Sequence, residues 1–363
     1  MKRLFAVLLV AALVMGGAFA QISFGAWGRG VFVPVQGGAG VEDPTATTMA
    51  SWGGNPRIGF TIRGESDNIG FQVDMTGNLA DIGVGDNARI WWKANDMFKV
   101  LIGKTQGDAL RGKISDAPLG GMIFGWRNKD NDALFTRFYP QRGALVEITP
   151  MDGLFIGASV DTNLGDGSPA PVKDVYTQTL QVGAGYNIDG IGHIRVQYVG
   201  GAIGTNGIPA LVYDGAGDVI SNGGRIEAAF ALGMIDGVTI DIGGKIPFDS
   251  DKMGYTAMVG AAANFAIDNI GVTARVDATI ADPTTNIQIY AIPSFGLDFA
   301  TIGLDGVVEM NMGDETYVGF GVAPWIKKGY SNGYVQLGVA FTKGAWDGAE
   351  LGWSVPVIFE YWF

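Results

Sequence analysis

The sequence predicts an all-β protein, a transmembrane antiparallel up-and-down β-barrel of about 18 strands, with 16 as the alternative. Three observations predict it. Apolar and polar residues alternate with a period of two along most of the chain. Short turns alternate with long loops. The closing segment VPVIFEYWF carries an apolar row through Val355, Val357, Phe359, Tyr361 and Phe363, where soluble chains usually fray and turn polar.

The alternation is explicit in IGFQVDMT (69–76), where Ile69, Phe71, Val73 and Met75 alternate with Gly70, Gln72, Asp74 and Thr76. It recurs in GVTARVDATI (271–280) and in IGHIRVQY (191–198), where Ile194, Val196 and Tyr198 oppose His193, Arg195 and Gln197. In a strand this spacing sends one row to each face. Four turns share a wording: PMDG (150–153), NIDG (187–190), MIDG (234–237) and IDNIG (267–271). Asp-Gly and Asp-Asn tolerate the positive φ that tight hairpins require. Longer loops fall at 162–174, 200–222, 247–253 and 343–350.

Strands are expected near 22–35, 55–64, 69–78, 88–94, 98–104, 142–149, 153–161, 175–187, 191–199, 223–233, 237–246, 254–266, 271–280, 285–297, 303–312, 316–325, 333–342 and 351–363. The count is even, as a closed barrel of hairpins requires, and both ends of the barrel domain fall at the short-turn rim. Residues 105–141 are the weakest region; FTRFY (135–139) could form a strand, but one added strand would break the parity.

The first 20 residues, MKRLFAVLLVAALVMGGAFA, read as a cleaved signal peptide: Lys2 and Arg3, an apolar run from Leu4 to Val14, and Ala18-Phe19-Ala20. Residues 21–363 then form a single barrel domain. An N-terminal membrane anchor is the alternative, and the apolar run is short of the ~20 residues a span needs. The formal net charge is −12, and cleavage makes it more acidic by removing two bases. Such a chain repels nucleic-acid phosphates. With Cys 0 and His 1, disulfides, thiolate metal sites and His-rich metal clusters are excluded, and no cofactor is expected.

A soluble β-protein would also show one polar row. Here the apolar row is rich in Val, Ile, Phe and Ala on almost every strand, and the strand count exceeds the ~10 that one open sheet sustains. Closure satisfies every backbone group, the only β solution that hydrocarbon permits.

The A-x-A leader, the period-two hairpins and the terminal row Val355, Val357, Phe359, Tyr361, Phe363 resemble bacterial outer-membrane β-barrels of the porin type. The resemblance implies an exported protein of the outer membrane, in contact with the lipid bilayer, with the homotrimer as the assembly common among such proteins. It also implies that the barrel-assembly machinery reads Phe359, Tyr361 and Phe363 as an insertion signal. In that family the third long loop folds into the barrel and narrows it. Residues 105–141, with Asp108, Arg111 and Asp116, stand third on the long-loop rim, so the resemblance makes them a candidate constriction loop; a loop that stays outside is the alternative.

The candidate pore lining follows from strand parity. Early strands present Arg29, Arg57, Arg63, Arg89, Lys93 and Lys99 inward, with Asp74 the exception. Later strands present Glu147, Asp161, Asp241, Asp277, Asp305, Glu309 and Glu360, mixed with Arg195, Arg225, Lys245 and Arg275. Arg or Lys facing lipid at mid-membrane would cost about 2–4 kcal/mol, and facing water little. Bases early and acids later would set a field across the lumen; pairing with neighbours is the plainer account of each charge. No continuous apolar lining is visible. Trp27, Trp91, Trp92, Trp325, Tyr334, Trp353 and Tyr361 suit interface girdles, although Trp91 and Trp325 share the inward parity.

No catalytic constellation stands out. GKT (103–105) lacks the glycine of a phosphate loop, with Phe98 in its place. NKDND (128–132) and DGAGD (214–218) could hold Ca²⁺, but neither has the closing Glu, and solvated loop charge accounts for both. A Ser-His barrel lipase would need His193 at the lipid face, and parity turns it inward. The function expected is therefore non-enzymatic: a water-filled channel for passive diffusion of small hydrophilic solutes. The alternatives are a plugged surface adhesin or antigen, or a substrate-selective channel.

Overall fold

The computed structural model describes residues 21–39, 43–49, 57–77, 82–107, 109–110, 135, 137–162, 169–202 and 211–363. The expected leader, residues 1–20, and Asp108, Arg111, Asp116 and the NKDND stretch lie outside the described residues.

The strands are β1 (Gln21–Gly38), β2 (Thr45–Met49), β3 (Arg57–Ser66), β4 (Ile69–Gly77), β5 (Ile82–Asn95), β6 (Phe98–Lys104), β7 (Gly143–Met151), β8 (Leu154–Asp161), β9 (Gln181–Ile188), β10 (Gly192–Val199) and β11 (Arg225–Ile235). They continue as β12 (Val238–Pro247), β13 (Ala257–Ile267), β14 (Ile270–Ile280), β15 (Thr285–Gly296), β16 (Thr301–Met312), β17 (Thr316–Tyr330), β18 (Gly333–Gly338), β19 (Ala340–Lys343), β20 (Leu351–Ser354) and β21 (Val357–Trp362). Two short helices, α1 (Val172–Gln178) and α2 (Ser250–Met253), sit in long loops. Among the described residues no helix is long and apolar enough to cross a membrane.

Three pairs of these strands are interrupted staves. β2 and β3 both pair along one edge of β1. β18 and β19 both pair with β17, and β20 and β21 both pair with β1. The result is a closed antiparallel barrel of 18 strands. The break between β20 and β21 holds Pro356, which has no N–H to give the ladder. Closure is made at the seam: Trp27 pairs with Trp362 and Arg29 with Glu360, and the Ala26 and Phe363 backbones exchange hydrogen bonds of 3.0 and 2.7 Å.

The expected turns hold. Gly153, Gly190 and Gly237 take φ of 80°, 66° and 73°, and in the fourth turn Asp268 takes φ 50°. Several strand boundaries do not: β5 begins at Ile82 where 88 was expected, and β17 runs on to Tyr330 where 325 was expected. The segment 175–187 was expected as a single strand, but Val172–Gln178 is helical and the strand begins at Gln181. Thr179 ends the helix: its hydroxyl donates to the Val175 carbonyl at 2.6 Å and also engages the Asp161 backbone. These side chain–backbone bonds outweigh the β-propensity of VYT. Among its described residues FTRFY makes one isolated bridge, Phe138 to Gly107.

The two faces separate as the alternation requires. On β6, Leu101 is 1% exposed and Ile102 63%. Outward rows are apolar: Phe24 and Phe32 on β1, Ile58 and Phe60 on β3, Ile287 and Ile289 on β15, Phe359 and Tyr361 on β21. An apolar, solvent-accessible wall around a sheet without edges is the arrangement suited to hydrocarbon. We therefore expect Ile289→Arg, on the outer face of β15, to cost about 2–4 kcal/mol in vesicles. Gln288→Arg, one residue away and facing Glu309 across the inner wall, should cost clearly less by the same denaturant titration.

Candidate functional site

Every charged side chain expected inward, among those described, lies on the inner wall. On β1–β6, Arg29 and Arg57 flank the Trp27 ring at 5.0 and 5.6 Å, and Arg63 and Lys99 flank Trp91 at 5.2 and 5.6 Å. Arg89 donates to Gln72 at 2.9 Å, and Asp74 accepts from Thr61, Gln72 and Asn87. On later strands Asp277 pairs with Arg275 at 2.7 Å, and Glu309 accepts from Asn286 and Gln288.

Pairing, more than segregation, organises these charges. Closure brings β1 beside β21, so an early base meets a late acid: Arg29 and Glu360 lie 2.9 Å apart. Lys99 and Glu147 meet at 3.3 Å where the basic strands end. Arg195 and Asp241 form a fully buried pair. Glu227 sits between Arg225 at 2.6 Å and Lys245 at 3.6 Å. Arg57 is different: among the described residues it has no ion-pair partner.

Some inward residues escaped the sequence reading. Glu65 takes both Arg63 and Lys93, and Glu227 holds two bases. A shared signal was available. Arg63-x-Glu65, Arg225-x-Glu227 and Arg275-x-Asp277 each place opposite charges two apart, hence on one face of one strand. Trp27 and Tyr334, expected in girdles, face inward, as do Trp91 and Trp325. Each of the last two lies flat over a glycine of the adjacent strand, Gly70 and Gly303, where a Cβ would overlap the indole. Trp325 donates to Asp305 at 2.7 Å, and Tyr334 to Glu360 at 2.9 Å. Trp92 and Tyr361 stay outward, exposed, and Trp353 pairs with outward Phe341.

The inner wall is also less uniformly polar than expected. Val31, Val33, Tyr290, Val307, Trp325 and Ile358 form one inward apolar cluster across the seam. A second joins wall to insert: Trp91, Leu101 and Leu145 pack with Leu110, Phe135 and Phe138. Phe135, Phe138 and Leu110 are fully buried, and the Arg195 guanidinium carbon lies 5.3 Å from the Phe135 ring centroid. The two described ends of the insert are thus folded against the inner wall and bridged by Gly107 and Phe138. Tyr139 ties the outgoing end to β5 by donating to Asp86 at 2.9 Å; burial first, then the Asp86 charge, raises its pKa and keeps it a donor.

His193 is inward and buried, with Asn187 and Ala231 as its cross-strand neighbours, so it presents nothing to the lipid face. In DGAGD the Asp214 carboxylate accepts the amides of Ala216 and Asp218 at 2.8 and 3.0 Å. The Asp218 amide first, then that of Ala216, lowers its pKa; the carboxylate closes a turn. Among the described residues no group of three or more His, Cys, Asp or Glu is placed to hold a metal.

No family model matches the chain, and no curated protein matches its sequence. Solved structures do. Two mutants of the Rhodopseudomonas blastica porin align with a TM-score of 0.51 and 15% identity, covering 94% of this chain and 100% of theirs. The fold is that of a porin-type barrel. A loop L8 deletion mutant of OmpT, an outer membrane protein of Vibrio cholerae, aligns at TM-score 0.48 and 13% identity, over 95% of this chain and 99% of that one.

Two substitutions test the internal packing. Phe138→Ala empties a fully buried site and should cost about 3–5 kcal/mol, with faster proteolysis of the insert. Asp241→Asn leaves the Arg195 charge buried without its carboxylate and should cost about 3–5 kcal/mol. Unfolding midpoints equal to wild type in both would mean that the insert ends and the inner wall are solvated.

Proposed function

We propose that this chain is an outer-membrane channel through which small hydrophilic solutes diffuse passively, without catalysis. The observation that carries the reading is the two-faced wall. Outside, exposed Phe, Ile and Val form a continuous apolar row; inside, the same strands present Arg, Lys, Asp, Glu and Gln. Some inner charges are buried in ion pairs, but the partly exposed ones, Arg57, Arg63, Lys93 and Lys99, are inexpensive where water reaches the enclosed space. The aromatic row Phe359, Tyr361, Phe363 is exposed on the outer wall, which suits an insertion signal offered to the assembly machinery.

In this reading residues 105–141 constrict the channel. The support is the anchoring of both ends of the insert on the inner wall through Leu110, Phe135 and Phe138. That same packing favours a second reading, a barrel plugged by its insert whose loops serve as a surface ligand or antigen. Planar-bilayer recordings separate the two. The channel reading expects stable single-channel steps from the folded wild type, and larger steps after deletion of residues 111–134. A folded wild type that never conducts, and conducts only after the deletion, would replace it with the plug. A deletion variant with unchanged steps would move the constriction elsewhere.

The basic wall of β1–β6 sets a further expectation. Arg57, beside Trp27 on that wall, has no ion-pair partner among the described residues, so Arg57→Gln should reduce the anion-to-cation permeability ratio. Reversal potentials in a KCl gradient measure that ratio, and an unchanged value would place the ion path away from Trp27 and Arg57.

A further inference from the structure

We propose that the outer wall carries a binding groove for one anionic, phosphate-bearing lipid at the long-loop rim, with Lys104 and Arg142 as its headgroup ligands. The inference rests on the outer wall facing lipid, and is independent of whether the lumen conducts.

A groove of about 900 Å³ runs up the outside of β5–β8. Its floor is low because the outward positions there include alanines: Ala144 lies between the larger side chains of Ile102 and Val160, and Ala88 lies opposite Lys104. Tyr176, exposed on α1, forms the upper bank. The sheet register brings the two cations together. Gly103 pairs with Gly143 and Ile102 with Ala144, so Lys104 and Arg142 are the next cross-strand positions, on the same outward face as Ile102. They stand one position past the last rung of the β6–β7 ladder, at its long-loop end.

Charge complementarity identifies the occupant. Among the described residues neither Lys104 nor Arg142 has an ion-pair partner, so both charges are available. Lys104 lies over the Tyr139 ring at 5.9 Å, which fixes its stem without neutralising its ammonium. The acid close by in sequence register, Asp86, accepts the Tyr139 hydroxyl at 2.9 Å. Below the cations the outer wall is apolar, with Ile90 and Ile102 exposed side by side on β5 and β6. A cationic pair above an apolar channel matches a lipid whose phosphate sits at the interface and whose chain descends from it. A soluble anion would use only the upper half, and an uncharged lipid only the lower.

Native mass spectrometry of the full barrel, released from nanodiscs of equimolar phosphatidylglycerol and phosphatidylcholine with identical chains, tests this. Wild type should retain phosphatidylglycerol preferentially. Lys104→Gln and Arg142→Gln should each reduce that preference roughly fivefold. Ala144→Trp, which fills the groove and leaves both charges, should lower phosphatidylglycerol retention. Millimolar glycerol phosphate should not displace the lipid. Equal retention of the two lipids by wild type, or an unchanged preference in the three variants, overturns the proposal while leaving the lipid-facing wall intact. Displacement by glycerol phosphate would make this a phosphate site and sink the lipid assignment. A barrel that fails to enter nanodiscs at all would refute the lipid-facing wall itself.

Discussion

The hydrogen-bonded seam between β1 and β21 is the constraint on which the remaining structure depends. An open sheet with this outer wall would leave two rows of unpaired backbone groups beside an apolar surface. Hydrocarbon would not solvate them, and in water the edge would recruit other strands. Pairing Trp27 with Trp362 and Arg29 with Glu360 removes both edges at once. The same seam closes a charge boundary, because the basic first strand meets the acidic last one. Backbone closure and side-chain neutralisation are therefore one event, completed by the terminal residues Tyr361 to Phe363.

Within the closed wall, burial rather than sequence order decides how charges are used. Around Arg195, which Phe135 of the insert covers, and at Asp241 and Glu227, side chains are buried and tightly paired. Breaking such a pair is costly because the remaining ion has no water to turn to. Where no described segment covers the wall, near Arg57, Arg63 and Lys93, the side chains are partly exposed and their pairs are correspondingly weak. The inner surface is thus divided between a packed sector that holds the described ends of the insert and a sector whose charges are partly exposed. Flat tryptophans over glycines thicken the wall without narrowing it much, and the cations over their faces gain from the ring quadrupole.

Much of this was legible from residue types alone. A period of two assigns faces directly, so Arg29, Arg89, Asp277 and Glu309 could be placed inward before any strand was paired. Asp-Gly turns fixed the hairpins because few residues accept positive φ. Three features were not legible, each for a physical reason. Helix Val172–Gln178 replaces the start of an expected strand because Thr179 can satisfy backbone groups locally, a bond that depends on Asp161 across space. Trp27 and Tyr334 could serve as girdle or lining, since aromatics suit both places. The inward apolar clusters share parity with the charges, Val31 and Val33 with Arg29, and only their mutual contact across the seam distinguishes them from a solvated row.

The most direct test of the two-faced wall is a single-cysteine scan of β4, made simple by a sequence with no cysteine of its own. Spin labels at Phe71, Val73 and Met75, and in turn at Gln72, Asp74 and Thr76, would be read in vesicles for collision with oxygen in the bilayer and with a water-soluble nickel chelate. The first three should respond to oxygen and the second three to nickel, alternating residue by residue. Nickel accessibility that is uniform along the strand, or high at Phe71 and Val73, would show water on the outer face and contradict the account.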